Sequence, residues 1–184
     1  MKGGARRFVI LDRDGTLIVE RNYLSRPEDV ELIEGAAEGL RLFEESGWGR
    51  IVVTNQSGVN RGYFSREAVD AVDERMRALL AASGAKIDAI YVCPHRPDEG
   101  CDCRKPQTAL LLGAAAEWDF DPARCLFVGD KACDVELGRN LGGVTMLVRT
   151  GYGEEALRAA SVSPDYVVRD LKEAAEVAKL LQAR

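Results

Sequence analysis

Asp12 and Asp14 follow a short apolar run, Phe8-Val-Ile-Leu11, and precede Gly15-Thr16. Two carboxylates spaced i, i+2 where a hydrophobic run meets a turn suit a divalent-cation site, a nucleophile or an acid–base couple. The lesser alternative is that they cap the turn. Three further clusters repeat the pattern of apolar run followed by polar groups. Thr54-Asn-Gln-Ser57-Gly58 follows Ile51-Val-Val53. Thr54, Asn55, Gln56 and Ser57 offer hydroxyls, amides and backbone N–H groups that can hold an anion, although Asn, Ser and Gly are also ordinary turn residues. Arg104-Lys105-Pro106 precedes a segment expected to be helical, with Pro106 in its first turn. A lysine at the positive end of a helix is explained by a bound anion, or else by a solvated basic pair. Val128-Gly-Asp130-Lys131, with Asp134 four residues beyond Asp130, completes the set. Asp130 reads as a ligand or a helix cap, and Asp134 as a supporting group.

A fifth cluster has metal-ligand spacing. Cys93, His95, Cys101 and Cys103 bring three of the five cysteines together with the only histidine. Three thiolates and an imidazole make a closed tetrahedral zinc site with no open position, hence a structural one. The stretch it would tie down, Arg96-Pro-Asp-Glu-Gly100, has no apolar side chain to anchor it. Structural zinc contributes on the order of 10 kcal/mol, ample to order such a loop. Because Cys103 adjoins Arg104, the ion is expected to fix where Arg104 and Lys105 point. Cys125 and Cys133 lie outside the set and read as buried small apolar residues.

The elements that must position these clusters alternate. Short runs rich in Val and Ile predict strands at 8–11, 50–54, 87–92, 125–128, 144–148 and 166–168. Helices are predicted at 36–46, 65–82, 107–118, 133–141, 153–159 and 171–182. Ser65 is the expected N-cap of the second, and Gly47 and Gly84 are expected helix stops. Strands alternating with helices imply an α/β fold: a doubly wound, Rossmann-like parallel sheet with helices on both faces. No segment is left for a large second domain, so residues 1–184 read as one domain with a minimal cap and a zinc-stapled loop at 93–103. Each chemical cluster then falls at the carboxyl edge of the sheet, where open α/β folds place their sites.

A net charge of −5 over 184 residues argues against a nucleic-acid partner. The chain has no apolar run long enough to span a membrane. Four apolar residues before Asp12 are too few for a signal peptide, and an odd cysteine count clustered with histidine reads as metal in a reducing cytosol. A cytoplasmic monomer is expected.

Taken together, an aspartate pair, a hydroxyl, a lysine and another aspartate in that order are the parts that phosphoryl transfer requires. From about residue 6 to near the C-terminus the chain resembles the haloacid dehalogenase superfamily of phosphatases. Cys93-Pro-His95, Cys101-Asp-Cys-Arg-Lys-Pro106 and Asn55-Gln-Ser-Gly58 are similar to the D-glycero-D-manno-heptose 1,7-bisphosphate phosphatases and the related histidinol-phosphate phosphatases. The resemblance implies an aspartyl-phosphate on Asp12, with Asp14 as acid and base. It implies Mg2+ held by the Asp12 carboxylate, the Asp14 backbone carbonyl and Asp130. It implies that Thr54 and Lys105 hold the transferring phosphoryl group. Glu20, Arg21, Asn22 and Tyr23, in a flap after the first strand, are implied to touch a sugar phosphate substrate. Arg61, Arg104 and Lys131 are cations for a second, non-reacting phosphate. The Arg61-Gly-Tyr-Phe64 segment resembles the heptose enzymes, and the short spacing from His95 to Cys101 the histidinol enzymes. A phospho-aspartate signalling receiver is the alternative from another class; it uses similar groups, but its acceptor usually lies on a later strand. A non-catalytic zinc module is a further rival, against which the aspartate pair speaks.

Overall fold

The computed structural model describes residues 7–159 and 162–182. Six strands, β1 (Phe8–Leu11), β2 (Gly49–Asn55), β3 (Ala89–Cys93), β4 (Leu126–Gly129), β5 (Val144–Val148) and β6 (Tyr166–Val168), form one sheet in the order β3-β2-β1-β4-β5-β6. Every neighbouring pair is parallel. This is the doubly wound order in which the direction of winding reverses between the first and fourth strands. The crevice at that reversal opens between the ends of β1 and β4, where Asp12 and Asp130 emerge. Leu11 pairs with Val52 on one side and Val128 on the other, so the two following loops are level with Asp12. Asn55 pairs with Cys93, which sets the cysteine loop beside the second polar cluster.

Helices α1 (Ala36–Glu45), α2 (Arg66–Ala82), α3 (Ala109–Trp118), α4 (Ala132–Asn140), α5 (Gly153–Arg158) and α6 (Leu171–Gln182) alternate with the strands. β1 is buried throughout, and its side chains divide by parity. Val9 and Leu11 join a core with Leu40 and Phe43 of α1, Val72 and Met76 of α2 and Ala174 of α6. Phe8 and Ile10 join a second core with Leu111 and Ala114 of α3 and Leu137 of α4. A strand covered on both faces needs apolar residues at every position, which is why its sequence shows a run rather than an alternation. Ser65 Oγ accepts from Ala68 N–H at 3.3 Å, and Gly47 and Gly84 follow the ends of α1 and α2 at φ +78° and +71°, as the sequence predicts. Among the described residues no helix is long and apolar enough to cross a membrane.

One expected helix start is corrected. α3 begins at Ala109, not 107, so Pro106 is outside it and Lys105 is not at a helix N-terminus. Gln107 N–H donates to Arg104 O at 2.7 Å and Ala109 N–H to Asp102 O at 3.1 Å, so residues 104–107 are spent in a turn.

Candidate active site and metal centres

The chain turns immediately after β1. Leu17 and Ile18 N–H groups both donate to Arg13 O, at 2.9 and 3.1 Å. Gly15 has φ +87°, and a Cβ there would collide with the Asp130 carboxylate, so only glycine lets the two loops close on each other. Thr150 Oγ1 donates to Gly15 O, and Tyr152 N–H to Asp130 Oδ2, at 2.6 and 2.8 Å. The loop after β5 thereby fastens both.

Asp12, Asp14, Asp130 and Asp134 are all buried around this point. Lys105 Nζ lies 2.8 Å from Asp12 Oδ1 and 2.6 Å from Asp134 Oδ1. Burial works against ionisation of Asp12, but the Lys105 and Lys131 ammoniums outweigh it and hold its carboxyl well below the usual range. Asp12 is therefore an anion at neutral pH. Burial alone would lower Lys105; Asp12 and Asp134 reverse that and keep it charged. Asp134 Oδ2 also accepts from Lys131 N–H at 3.0 Å, so both of its oxygens are engaged, as befits a supporting group. The N-cap of α4 is Lys131 rather than Asp130.

Asp130 is the under-partnered member. Its Oδ1 is buried without a hydrogen bond, and burial and the Asp12 charge push the carboxyl up to about 8. Three oxygens converge on one point here. Lys131 Nζ lies 3.5 Å from Asp12 Oδ2, 3.2 Å from Asp14 O and 3.5 Å from Asp130 Oδ1. Two carboxylates and a carbonyl, one oxygen of them unsatisfied, are the hard donors a small divalent cation takes. The donor atoms of Asp12, Asp130 and Asp134 lie within 4.8 Å of one another.

The second centre is the cysteine loop. Cys93 Sγ lies 3.2 Å from Cys103 Sγ and 3.8 Å from Cys101 Sγ, and Cys103 Sγ lies 3.6 Å from Cys101 Sγ. His95 Nδ1 is 3.6 Å from Cys93 Sγ and 3.1 Å from Cys103 Sγ. A tetrahedron with metal–sulfur arms of about 2.3 Å has edges of roughly 3.8 Å, so the four atoms are grouped closely enough to hold a metal ion. No pair of them is a disulfide. Arg104 NH1 donates to His95 O at 3.1 Å, tying this loop to the neighbouring cleft.

That cleft, of about 210 Å³, is walled mostly by loops, with the end of β2 and the start of α4. Asp12, Asp14, Thr54, Asn55, Gln56, Ser57, Arg104, Lys105 and Lys131 line it, with Glu20, Asn22 and Tyr23 from the flap. Asn55 holds Lys105 reciprocally: its Nδ2 donates to Lys105 O at 3.1 Å and its Oδ1 accepts from Lys105 N–H at 3.0 Å. Gln56 Nε2 bridges Asp14 Oδ2 at 2.7 Å and Thr54 Oγ1 at 2.9 Å. Lys131 faces carboxylates, Glu20 Oε2 included at 3.2 Å. Two expected contacts are not brought to the cleft. Arg21 pairs with Glu31 at 2.7 Å on the outside of the flap, and Arg61 is exposed on its loop. Cys133 is corrected from buried filler to a half-buried residue of the cleft wall, because α4 starts directly behind Asp130. Tyr152 also lines the cleft without having been expected. Its signal was position alone, in the glycine loop after a strand.

The strand order, the carboxylates at the reversal and the lysine on the next loop are those of the HAD-like hydrolases, whose HAD-hydrolase-like family model matches residues 102–174. A D-glycero-D-manno-heptose-1,7-bisphosphate 7-phosphatase of Thermosynechococcus vestitus is 42% identical, over 93% of this chain and 94% of that one. A D-glycero-beta-D-manno-heptose-1,7-bisphosphate 7-phosphatase of Pseudomonas putida is 36% identical, over 90% and 95%. The crystal structure of D,D-heptose 1,7-bisphosphate phosphatase from B. bronchiseptica, complexed with magnesium and phosphate, superposes with a TM-score of 0.88 at 33% identity, covering 97% of this chain and 99% of that one. The chain belongs to this heptose-bisphosphate phosphatase family. The receiver and zinc-module alternatives fall with that assignment.

Asp130 supplies a test of the site's electrostatics. A carboxyl raised by burial costs stability progressively as pH climbs from its ordinary 3.8 towards about 8, since the unfolded chain ionises first. Asp130→Asn is expected to raise the melting temperature by a few degrees at pH 8, without added divalent cation, and by less at pH 5. Calorimetry at the two pH values checks both the sign and the order.

Proposed function

We propose that this chain removes the C7 phosphate of D-glycero-D-manno-heptose 1,7-bisphosphate in the cytoplasm, acting as a single phosphatase domain. The reading rests on one observation above all: an ionised Asp12 at the switch point, one oxygen on Lys105 and the other converging with Asp14 O and Asp130 Oδ1. Asp12, the Asp14 carbonyl and Asp130 would hold Mg2+, displacing the Lys131 ammonium. When bound, Mg2+ supplies the positive charge that lets an anionic carboxylate and an anionic phosphate approach each other.

An Asp12 carboxylate oxygen attacks phosphorus and the bond to the leaving sugar oxygen breaks. Asp14 gives that oxygen its proton. Asp14 then takes a proton from water as the water attacks the aspartyl-phosphate, and phosphate departs. Thr54 and Lys105 hold the oxygens of the transferring group, and Asn55 keeps Lys105 in place. Ser57, Asn22, Tyr23 and Glu20 are at hand for the sugar. Arg104 is the cation best placed for the second phosphate, since it lines both this cleft and the adjoining one with Arg96 and Gln107. With Arg104, Lys105 and Lys131 on its wall, the cleft favours a bisphosphate over the ammonium-bearing histidinol phosphate.

We further propose that Cys93, His95, Cys101 and Cys103 hold zinc, whose part is to aim Arg104 and Lys105. Removing zinc with a chelator and then restoring excess Mg2+ should leave turnover at least about tenfold down, with zinc bringing it back. Full activity in the zinc-stripped protein would detach the loop from catalysis. For the main reaction, Asp12→Asn should lower kcat by about a thousandfold or more. Acid quenching of a turnover with 32P-labelled bisphosphate should leave label on the wild-type protein and none on the variant. Phosphate release from histidinol phosphate in preference to the heptose bisphosphate would reverse the choice of substrate.

A further inference from the structure

Arg13 sits between the two aspartates in sequence and is completely buried. Its Nε and NH2 donate to Asp14 Oδ2 and Oδ1 at 3.0 and 3.3 Å, and its NH1 donates to Asp73 Oδ1 at 2.8 Å. Asp73 belongs to α2, sixty residues on, and is itself buried. A guanidinium with no exposure cannot reach a substrate phosphate. Nor is stability its evident purpose, because a buried charged trio is commonly no more stable than apolar residues of the same volume.

What the trio does supply is orientation. Asp14 lies on the turn beyond β1, where no strand neighbour fixes its side chain. A planar guanidinium bonding both carboxylate oxygens stops rotation of the carboxylate, which a lysine could not do. Gln56 Nε2 adds a second donor to Oδ2, at 2.7 Å. Oδ1 has a single, longer partner and is the oxygen left to carry a proton. The guanidinium would swing with Asp14 if nothing held its other end, and Asp73 holds that end.

We propose that Arg13 and Asp73 are positioning residues for proton delivery: α2, through Asp73, sets Arg13, and Arg13 aims Asp14 at the leaving oxygen. This rests on the reading of Asp14 as the acid. In the step concerned, the proton on Asp14 Oδ1 passes to the leaving oxygen as its bond to phosphorus breaks and the bond from Asp12 forms.

The test compares leaving groups. An alkyl phosphate, here the heptose bisphosphate, must have its departing oxygen protonated; p-nitrophenyl phosphate leaves as a stable phenolate and needs no acid. The ratio of kcat/KM for the alkyl ester to that for the aryl ester is measured in the wild type, Asp73→Asn, Asp73→Ala and Asp14→Asn. The ratio is expected to fall about tenfold or more in Asp73→Ala, by less in Asp73→Asn, which keeps an acceptor for Arg13, and furthest in Asp14→Asn. Both rates come from the same sample, so partial misfolding cancels. An unchanged ratio in the Asp73 variants, with Asp14→Asn lowering it, overturns the positioning role alone. An unchanged ratio in Asp14→Asn removes Asp14 as the acid and the proposal with it, while labelled Asp12 would leave the aspartyl-phosphate reading standing.

Discussion

The burial of like charges at the tip of β1 is the constraint from which the rest of the site follows. Asp12, Asp14, Asp130 and Asp134 are each less than a tenth exposed, and Asp73 stands behind them. Carboxylates so crowded either take up protons or find cations. Arg13 answers for Asp14 and Asp73, and Lys105 for Asp12 and Asp134. Asp130 is left with Lys131 at the long distance of 3.5 Å and one backbone N–H. Burial pushes Asp73, Asp130 and Asp134 all upward, and Asp130, at about 8, is the one of these with an oxygen turned to the converging point. Five carboxylates against Arg13, Lys105 and Lys131 leave the site short of positive charge, which a divalent cation can supply.

The fold makes that crowding unavoidable. Parallel pairing of β1 with both β2 and β4 gathers the three following loops at the reversal of winding. Gly15 and Gly151 then allow the β1 and β5 loops to press against the Asp130 carboxylate, where any Cβ would collide with it. Farther out, the pairing of Asn55 with Cys93 makes the cysteine loop an extension of the sheet edge. Arg104 is gripped by that loop through His95 O, while Lys105 is gripped by Asn55. Lys105 thereby has a hold from β2 in addition to its place beside Arg104 at the end of the cysteine loop.

The sheet and helices were legible because each central strand is a continuous apolar run and each helix carries its own signals, Ser65 and Gly84 among them. The chemistry was legible for a related reason. A polar cluster directly after a buried run can only emerge at the sheet edge, so Asp12, Thr54 and Asp130 could be brought together before any contact was known. The pairings were not legible. Arg13 with Asp73 and Asn55 with Lys105 join residues sixty and fifty apart, and no local pattern marks either. The start of α3 was misjudged because proline favours a first turn, whereas Asn55 and Arg104 had already claimed the backbone of that segment. Arg21 is assigned to the substrate by resemblance and Arg61 by its charge, and neither says which way a loop faces.

The cleft is buried at one end and exposed at the other, and this asymmetry bears on how it can work with only a flap over it. Asp12 and Lys105 are 5% exposed, whereas Tyr23 at the mouth is 41% and Tyr63, edge-on to it at 4.9 Å, is 60%. Asn22 and Tyr23 are held at φ +48° and +68°, a conformation that costs a residue with a side chain about 1 kcal/mol or more and survives only where its surroundings impose it. Low dielectric strengthens the charge interactions only at the inner end. On the proposed function, a phosphoryl group seated there would meet preorganised charge with little water, while the remainder of the substrate would lie under the flap. The body of the substrate would then do what a cap otherwise does. A ligand too short to reach from Lys105 to the flap would leave water beside Asp12, so the size of the ligand, and not only its charge, enters the rate at the phosphorus atom.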